Sequence, residues 1–285
     1  MESIFIVLLL RICLKLQHII GSEFKPRHIG FIMDGNRTYA KNHNLSPSQG
    51  HSLGATTLQK ILLYCVCLGI KEVTVYAFSI ENFRRPRNEI DAIFNYIIER
   101  PKLIYKSEYG KRLRLRIVGN RSYIPPDVLE KLEEMERISN LTQKEYTINI
   151  CVAYTSRDEI THAIKSISTQ REAKSIDKQD ISATYLEDQM YFGDDRQPLD
   201  ILVRTSGHTR LSDFLLWQCA LGCQITFMNT LWPDFLFIHL LWIFLTWIHQ
   251  RYRVNKRFNI TPRYDGPSVD LTRLPNCPPL VSVAE

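Results

Sequence analysis

Short runs rich in β-branched residues alternate with helix-patterned stretches along most of this chain, and that alternation constrains the fold more than any other feature. The strand-like runs fall at 28–34 (HIGFIMD), 72–78 (EVTVYAF), 113–119 (LRLRIVG), 146–153, 200–204 (DILVR) and 224–227. Helical patterns lie near 50–68, 89–107, 127–139, 157–169, 182–191 and 211–222. A strand that is followed by a helix re-enters the sheet beside a parallel neighbour. The expectation is therefore an α/β chain, one domain with a mainly parallel central sheet flanked by helices. Apolar residues fill both parities of 72–78, as in a strand buried on both faces. In 112–117, Arg112, Arg114 and Arg116 alternate with Leu113, Leu115 and Ile117. That is an edge strand with one basic face, and without interleaved aromatics it is no nucleic-acid platform.

With 45% hydrophobic and 23% charged residues in 285, the chain has the means to build a real core. A formal charge of +6 suits small polyanions or an anionic membrane surface. Seven cysteines (Cys13, Cys65, Cys67, Cys151, Cys219, Cys223, Cys277) are scattered through apolar segments without a CxxC pair. They read as reduced thiols facing the cytosol, not as a zinc site.

Both ends differ from the middle. Ile4 to Leu10 is apolar, but Arg11 and Lys15 interrupt it before Leu16, Ile19 and Ile20. That is too short to span a bilayer, and residues 1–24 read as an amphipathic helix on a membrane or a partner. Residues 235–248 (FLFIHLLWIFLTWI) are apolar all round, which predicts burial in the core or in a subunit interface. Beyond Arg253 come Pro262, Pro267, Pro275, Pro278 and Pro279. The domain is expected over 25–253, and 254–285 reads as a poorly ordered tail.

Polar residues cluster after three of the strands, where open α/β sheets bind ligands. Met33-Asp34-Gly35-Asn36-Arg37 follows the first and leads into a helix. Its glycine permits a tight turn, its N–H groups suit phosphate, and Asp34 suits Mg²⁺ beside a phosphate. SIENFRRPR (79–87) follows the second, bringing arginines that match phosphate oxygens in pairs. RTSGHTRLS (204–212) follows the fifth. Two anionic groups and a divalent cation account for all three. The sequence has no GxxxxGK[ST] loop, no GxGxxG turn and no GxSxG elbow. Ile32 and Asn36 flank Asp34 where an aspartyl phosphatase wants a second Asp.

HIGFIMDGNRTYAK, GHSLGATTL, EVTVYAFSIENFRRPRNEI, DILVRTSGHTRLSDFLLWQ and LWPDF, in that order from about His28 to Phe235, resemble the cis-prenyltransferase family. Its members include undecaprenyl and dehydrodolichyl diphosphate synthases, and ENFRRP and RTSG-x-x-RLSDFLLWQ resemble the eukaryotic dehydrodolichyl branch. The resemblance implies a catalytic subunit that adds isopentenyl diphosphate units in cis to farnesyl diphosphate. The product would be a long polyprenyl diphosphate for dolichol synthesis, made with Mg²⁺. By that likeness Asp34 organises the metal and the departing diphosphate, and Gly35, Asn36, Arg37, His51 and Arg85 hold the allylic diphosphate. Arg204, Arg210 and Ser212 would hold isopentenyl diphosphate, and Ser79, Glu81 and Asn82 would line the reacting centre. Leu58, Ile61, Leu62, Ile90, Ile93, Phe94, Ile97 and Ile98 are candidates to wall an apolar cleft or to fill plain core.

Thr38 and Pro47 stand where the family commonly has arginines, which implies weaker hold on the allylic diphosphate. Cys223 stands where bacterial members place a metal-binding Glu. Eukaryotic members work beside a non-catalytic subunit whose Arg-x-Gly tail completes the site, and this chain's tail has no Arg-x-Gly. A heteromer with a Nogo-B-receptor-like subunit is therefore expected, joined partly through 235–248, on the cytosolic face of the endoplasmic reticulum membrane. Two other readings stay open at this point: a binding or scaffold subunit with weakened catalysis, and a diphosphate-binding phosphatase.

Overall fold

The computed structural model describes Lys15 and residues 25–105, 110–141, 144–194, 197–220 and 222–258. The helix expected over 1–24 (Lys15 apart) and the tail beyond 258 lie outside the described residues, as do Cys13 and Cys277. Among the described residues six strands form one sheet: β1 (His28–Ile32), β2 (Glu72–Ser79), β3 (Leu113–Val118), β4 (Tyr146–Tyr154), β5 (Ile201–Arg204) and β6 (Gln224–Phe227). Their order is β3-β4-β2-β1-β5-β6 and every pairing is parallel. β1 is buried along its whole length, as a central strand covered on both faces must be. The basic run in β3 does form an edge, with Leu113, Leu115 and Ile117 buried and Arg114 and Arg116 half-buried.

Helices cover both faces. The first, α1 (Asn36–Asn42), is short and packs on α2 (Pro47–Leu68). Ser46 accepts from Gln49 N–H while Gln49 accepts from Ser46 N–H, Pro47 takes the first helical position, and Gly69 at φ 83 ends the helix. These caps explain why α2 starts before residue 50. One face of the sheet carries α2, α3 (Arg87–Tyr105), α4 (Pro126–Ser139) and α8 (Phe237–Phe258) around the larger core. Contacts run α4 to α3, α3 to α2 and α2 to α8, so the four lie side by side in that order. α5 (Ser156–Glu172) and α6 (Ala183–Asp188) pack together after β4. A second cluster of Tyr154, Phe192, Leu202, Phe214 and Leu215 fills the opposite face.

One expectation is corrected. Of the helix expected over 211–222, only α7 (Leu216–Cys219) forms. Ser212, Asp213 and Leu215 take left-handed φ angles of 51, 60 and 50°. Their polar groups are claimed elsewhere: Arg204 Nη1 donates to Arg210 O at 2.6 Å and to Ser212 Oγ at 2.7 Å, and Arg157 Nε donates to Asp213 Oδ2 at 2.8 Å. Such bonds compete with a helix for the same backbone. The apolar segment 235–248 is buried along one face, and its other face is exposed on the chain by itself. In α8 Leu240, Ile243 and Phe244 are at most 1% exposed, whereas Ile238 is 59% and Trp242 53% exposed. The helix also runs to Phe258, past the boundary expected at Arg253.

Candidate functional site

The sheet order sets β2, β1 and β5 side by side, so the three polar strand ends of the sequence share one rim. At its centre Asp34 Oδ2 accepts from Arg204 Nη2 at 2.7 Å, and Oδ1 accepts from Gly35 N–H at 2.8 Å. Thr205 ties the same loop, its hydroxyl accepting from Asp34 N–H at 3.0 Å and lying 2.7 Å from Asp34 O. Arg204 is buried at the end of β5, while a third of the Asp34 side chain stays exposed. Gly35 sits at φ 105, and a Cβ there would come within 2.9 Å of Leu231, so glycine is required at this turn. Arg210 and Ser212 lie exposed on the 205–212 loop.

Beside this hub stands a second basic group. Arg85 Nη1 donates to Glu89 Oε1 at 2.9 Å, and His51 Nε2 lies 3.5 Å from that oxygen. Burial first, and then the Arg85 charge, push the His51 pKa below its ordinary value, against the pull of Glu89. At neutral pH the ring is therefore neutral. Arg37 is exposed on α1 and contributes to the same field. Ser79 N–H donates to Asn82 Oδ1 at 3.1 Å, closing the short turn after β2 on which Glu81 is exposed. Thr38 is exposed on α1, and Pro47 occupies the first position of α2, where a missing N–H costs nothing.

A cavity of about 640 Å³ joins these groups. Of the site residues expected from sequence, Asp34, Asn36, Arg37, His51, Ser79, Glu81, Asn82, Arg85, Arg204, Arg210 and Ser212 line it, and Gly35 supports the loop behind. Its deep end is apolar. Leu58 and Leu62 of α2, Ile93 and Ile97 of α3, and Ile148 and Ile150 of β4 line it, whereas Ile61, Ile90, Phe94 and Ile98 are core. At the mouth three buried polar atoms, Asn36 Oδ1, His51 Nε2 and Arg204 Nε, have no hydrogen-bond partner. Orphaned atoms in one concave place mark a site shaped for a polar ligand.

No cluster of three His, Cys, Asp or Glu residues occurs among the described residues that could cage a metal. Asp34 fits a different mode, in which one carboxylate shares Mg²⁺ with substrate phosphates and water. Three participants escaped the sequence reading. Arg157 also lines the cavity, paired with Asp213, and it opens a helix just after β4, the same strand-end position as the others. Glu89 stands four residues after Arg85, the spacing of a helical ion pair. Tyr76 hydroxyl donates to Ser212 O at 3.3 Å and stacks on Phe214 with ring centres 4.2 Å apart, and nothing local in the sequence signals it.

Comparison with known proteins adds an independent line. Residues 32–255 match the sequence family described as "Putative undecaprenyl diphosphate synthase". A dehydrodolichyl diphosphate synthase complex subunit of Saccharomyces cerevisiae is 39% identical over 78% of this chain and 65% of its own length. The corresponding subunits of Schizosaccharomyces pombe and Homo sapiens are each 40% identical, over 74% and 78% of this chain and 80% and 67% of their own lengths. The crystal structure of lavandulyl diphosphate synthase from Lavandula x intermedia superposes with a TM-score of 0.74 and 27% identity. It covers 80% of this chain and 97% of that one. This chain thus spans a little under two thirds of the budding-yeast relative.

Proposed function

Because the chain belongs to the cis-prenyltransferase family, we propose that it is the catalytic subunit of a dehydrodolichyl diphosphate synthase, extending farnesyl diphosphate with isopentenyl diphosphate units in cis. The observation that carries this reading is the two-ended cavity, with two basic clusters at its mouth and aliphatic side chains at its depth. A polyprenyl diphosphate has the same two ends. A phosphatase has no need of the apolar half, and a scaffold has no need of the cationic half.

Each part of the site has a task in this reaction. His51, Arg37 and Arg85 hold the allylic diphosphate, with Asn36 and the turn at Gly35 beneath it. Arg204, Arg210 and Ser212 hold the second diphosphate, and the Asp34–Arg204 contact couples the two halves. Mg²⁺ bound at Asp34 would neutralise charge on the departing diphosphate. As the allylic C–O bond breaks, fixed N–H donors face the negative charge that develops. Ser79, Glu81 and Asn82 stand where the new C–C bond forms and a proton leaves. Holding both substrates there removes the entropic cost of their meeting. The aliphatic depth takes the lengthening chain and keeps water from the cationic carbon.

The subunit works in a heteromer with a Nogo-B-receptor-like partner and contacts the endoplasmic reticulum membrane on its cytosolic face. The naming of its relatives as complex subunits supports the first part. Among the described residues two apolar surfaces are available for such contacts: the edge strand β6, with Ile225 and Phe227 exposed, and the outer face of α8. Incorporation of radiolabelled isopentenyl diphosphate into butanol-extractable lipid tests the proposal. It should require Mg²⁺, rise when the partner is added, and fall at least about a hundredfold in Asp34→Ala. Release of inorganic phosphate without chain extension would overturn it.

A further inference from the structure

Among the described residues, helix α8 is the one helix with an entire apolar stripe left exposed. Leu236, just before the helix, is 60% exposed, and Ile238, Trp242 and Leu245 are 59, 53 and 47% exposed. Spaced by four and three residues, these helical side chains share one face, opposite Leu240, Ile243, Phe244 and Trp247 in the core. The same line continues through exposed His249, Tyr252 and Arg253, with Arg251 half-buried beside it. The face therefore grades from aliphatic through aromatic to cationic along a single helix.

We propose that the outer face of α8 lies in the interface of an anionic lipid bilayer, as the surface on which the enzyme rests. Three features favour lipid over a protein partner. The stripe is one helix wide, which suits a helix half-sunk in a headgroup layer. Trp242 and Tyr252 are the side chains that settle at the boundary between headgroups and chains. The basic end of the helix complements anionic headgroups, in keeping with the chain's net charge of +6. Among the described residues no helix is long and apolar enough to cross a membrane, so the contact is one of lying on the surface. The position is also apt. α8 packs on α2, and α2 contributes Leu58 and Leu62 to the cavity wall. This last argument rests on the prenyltransferase reading, but the surface chemistry does not.

The test is flotation of the full chain with vesicles of phosphatidylcholine containing about one third phosphatidylserine. Wild type should float. The triple variant Ile238→Ser, Trp242→Gln, Leu245→Ser should partition at least about tenfold less. Arg253→Glu should weaken binding to the anionic vesicles and leave neutral ones unaffected. Should the triple variant fail to fold, brominated lipids give a second readout. They should quench the tryptophan fluorescence of wild type, and Trp242→Phe should lose that quenching while still floating. Undiminished flotation of the triple variant, or undiminished quenching in Trp242→Phe, would overturn the proposal, as would wild type that does not float. Loss of co-purification with the partner subunit and not of flotation would give this face to the partner instead. Prenyl transfer measured in detergent solution reports on the catalytic reading separately, since none of these side chains lines the cavity.

Discussion

At the scale of single residues the site is a set of charges held in place by other charges. Glu89 is the clearest case, because its one oxygen faces both Arg85 and His51. Glu89→Gln should raise the KM for the allylic substrate about tenfold, the worth of one charge-assisted hydrogen bond. It should also lower the His51 pKa further, since Glu89 is the group now opposing burial; an NMR titration of the ring would show it. A rise in the His51 pKa would refute this account. Glu159 makes the opposite point. It is buried, accepting from Tyr154 hydroxyl at 2.6 Å and Gln218 Nε2 at 3.1 Å, and burial raises its pKa. A carboxyl with a raised folded-state pKa contributes stability that is full below its unfolded pKa of about 4.3, and loses it as pH rises through the folded value. The Tm of wild type should therefore fall relative to Glu159→Gln as pH is raised from about 4 upward. A constant gap would show that folding leaves the Glu159 pKa unshifted. Side chains such as Asp34, Arg37 and Arg204 were legible in the sequence because strand ends announce them. Tyr76 was not, because its role comes from Ser212 and Phe214, far away along the chain.

Elements explain why the rim holds its shape. α1 and α2 meet at Gly50 and Gly54, where a Cβ would come within 2.4 Å of Asn36 O and 2.2 Å of Asn36 Oδ1. Gly50→Ala meets the Asn36 backbone oxygen and must push α2 off α1, disturbing the turn beneath the site. It should cost about 1–3 kcal/mol in stability by denaturant unfolding and weaken substrate binding as well. Unchanged stability would mean that the two helices can part freely. Periodicity predicted all six strands and most helices, since amphipathic spacing reports directly on the face that is buried. It failed over 211–222 because helical spacing there coincides with residues whose hydrogen bonds go to Arg204 and Arg157. Over 235–248 hydrophobicity records which side chains avoid water, and not what excludes the water from them.

At the scale of the whole described fold, a parallel sheet holds a cavity between its rim and two helices. Cavity depth should set how long a product can grow. Ile97→Phe, at the aliphatic end, should shift products to shorter chains on reversed-phase chromatography without abolishing the first condensation. Unaltered lengths would place the growing chain elsewhere. The central position of β1 has one more outcome, which concerns synthesis. Arg27 and His28 at the head of that strand bind Asp200, and Arg27 stands 173 residues from it. At ~5–20 residues per second the ribosome needs on the order of ten to thirty seconds to make the chain between them. Throughout that interval one side of this buried central strand lacks its neighbour, so nascent chains of this protein are natural clients for chaperones that shield strand edges.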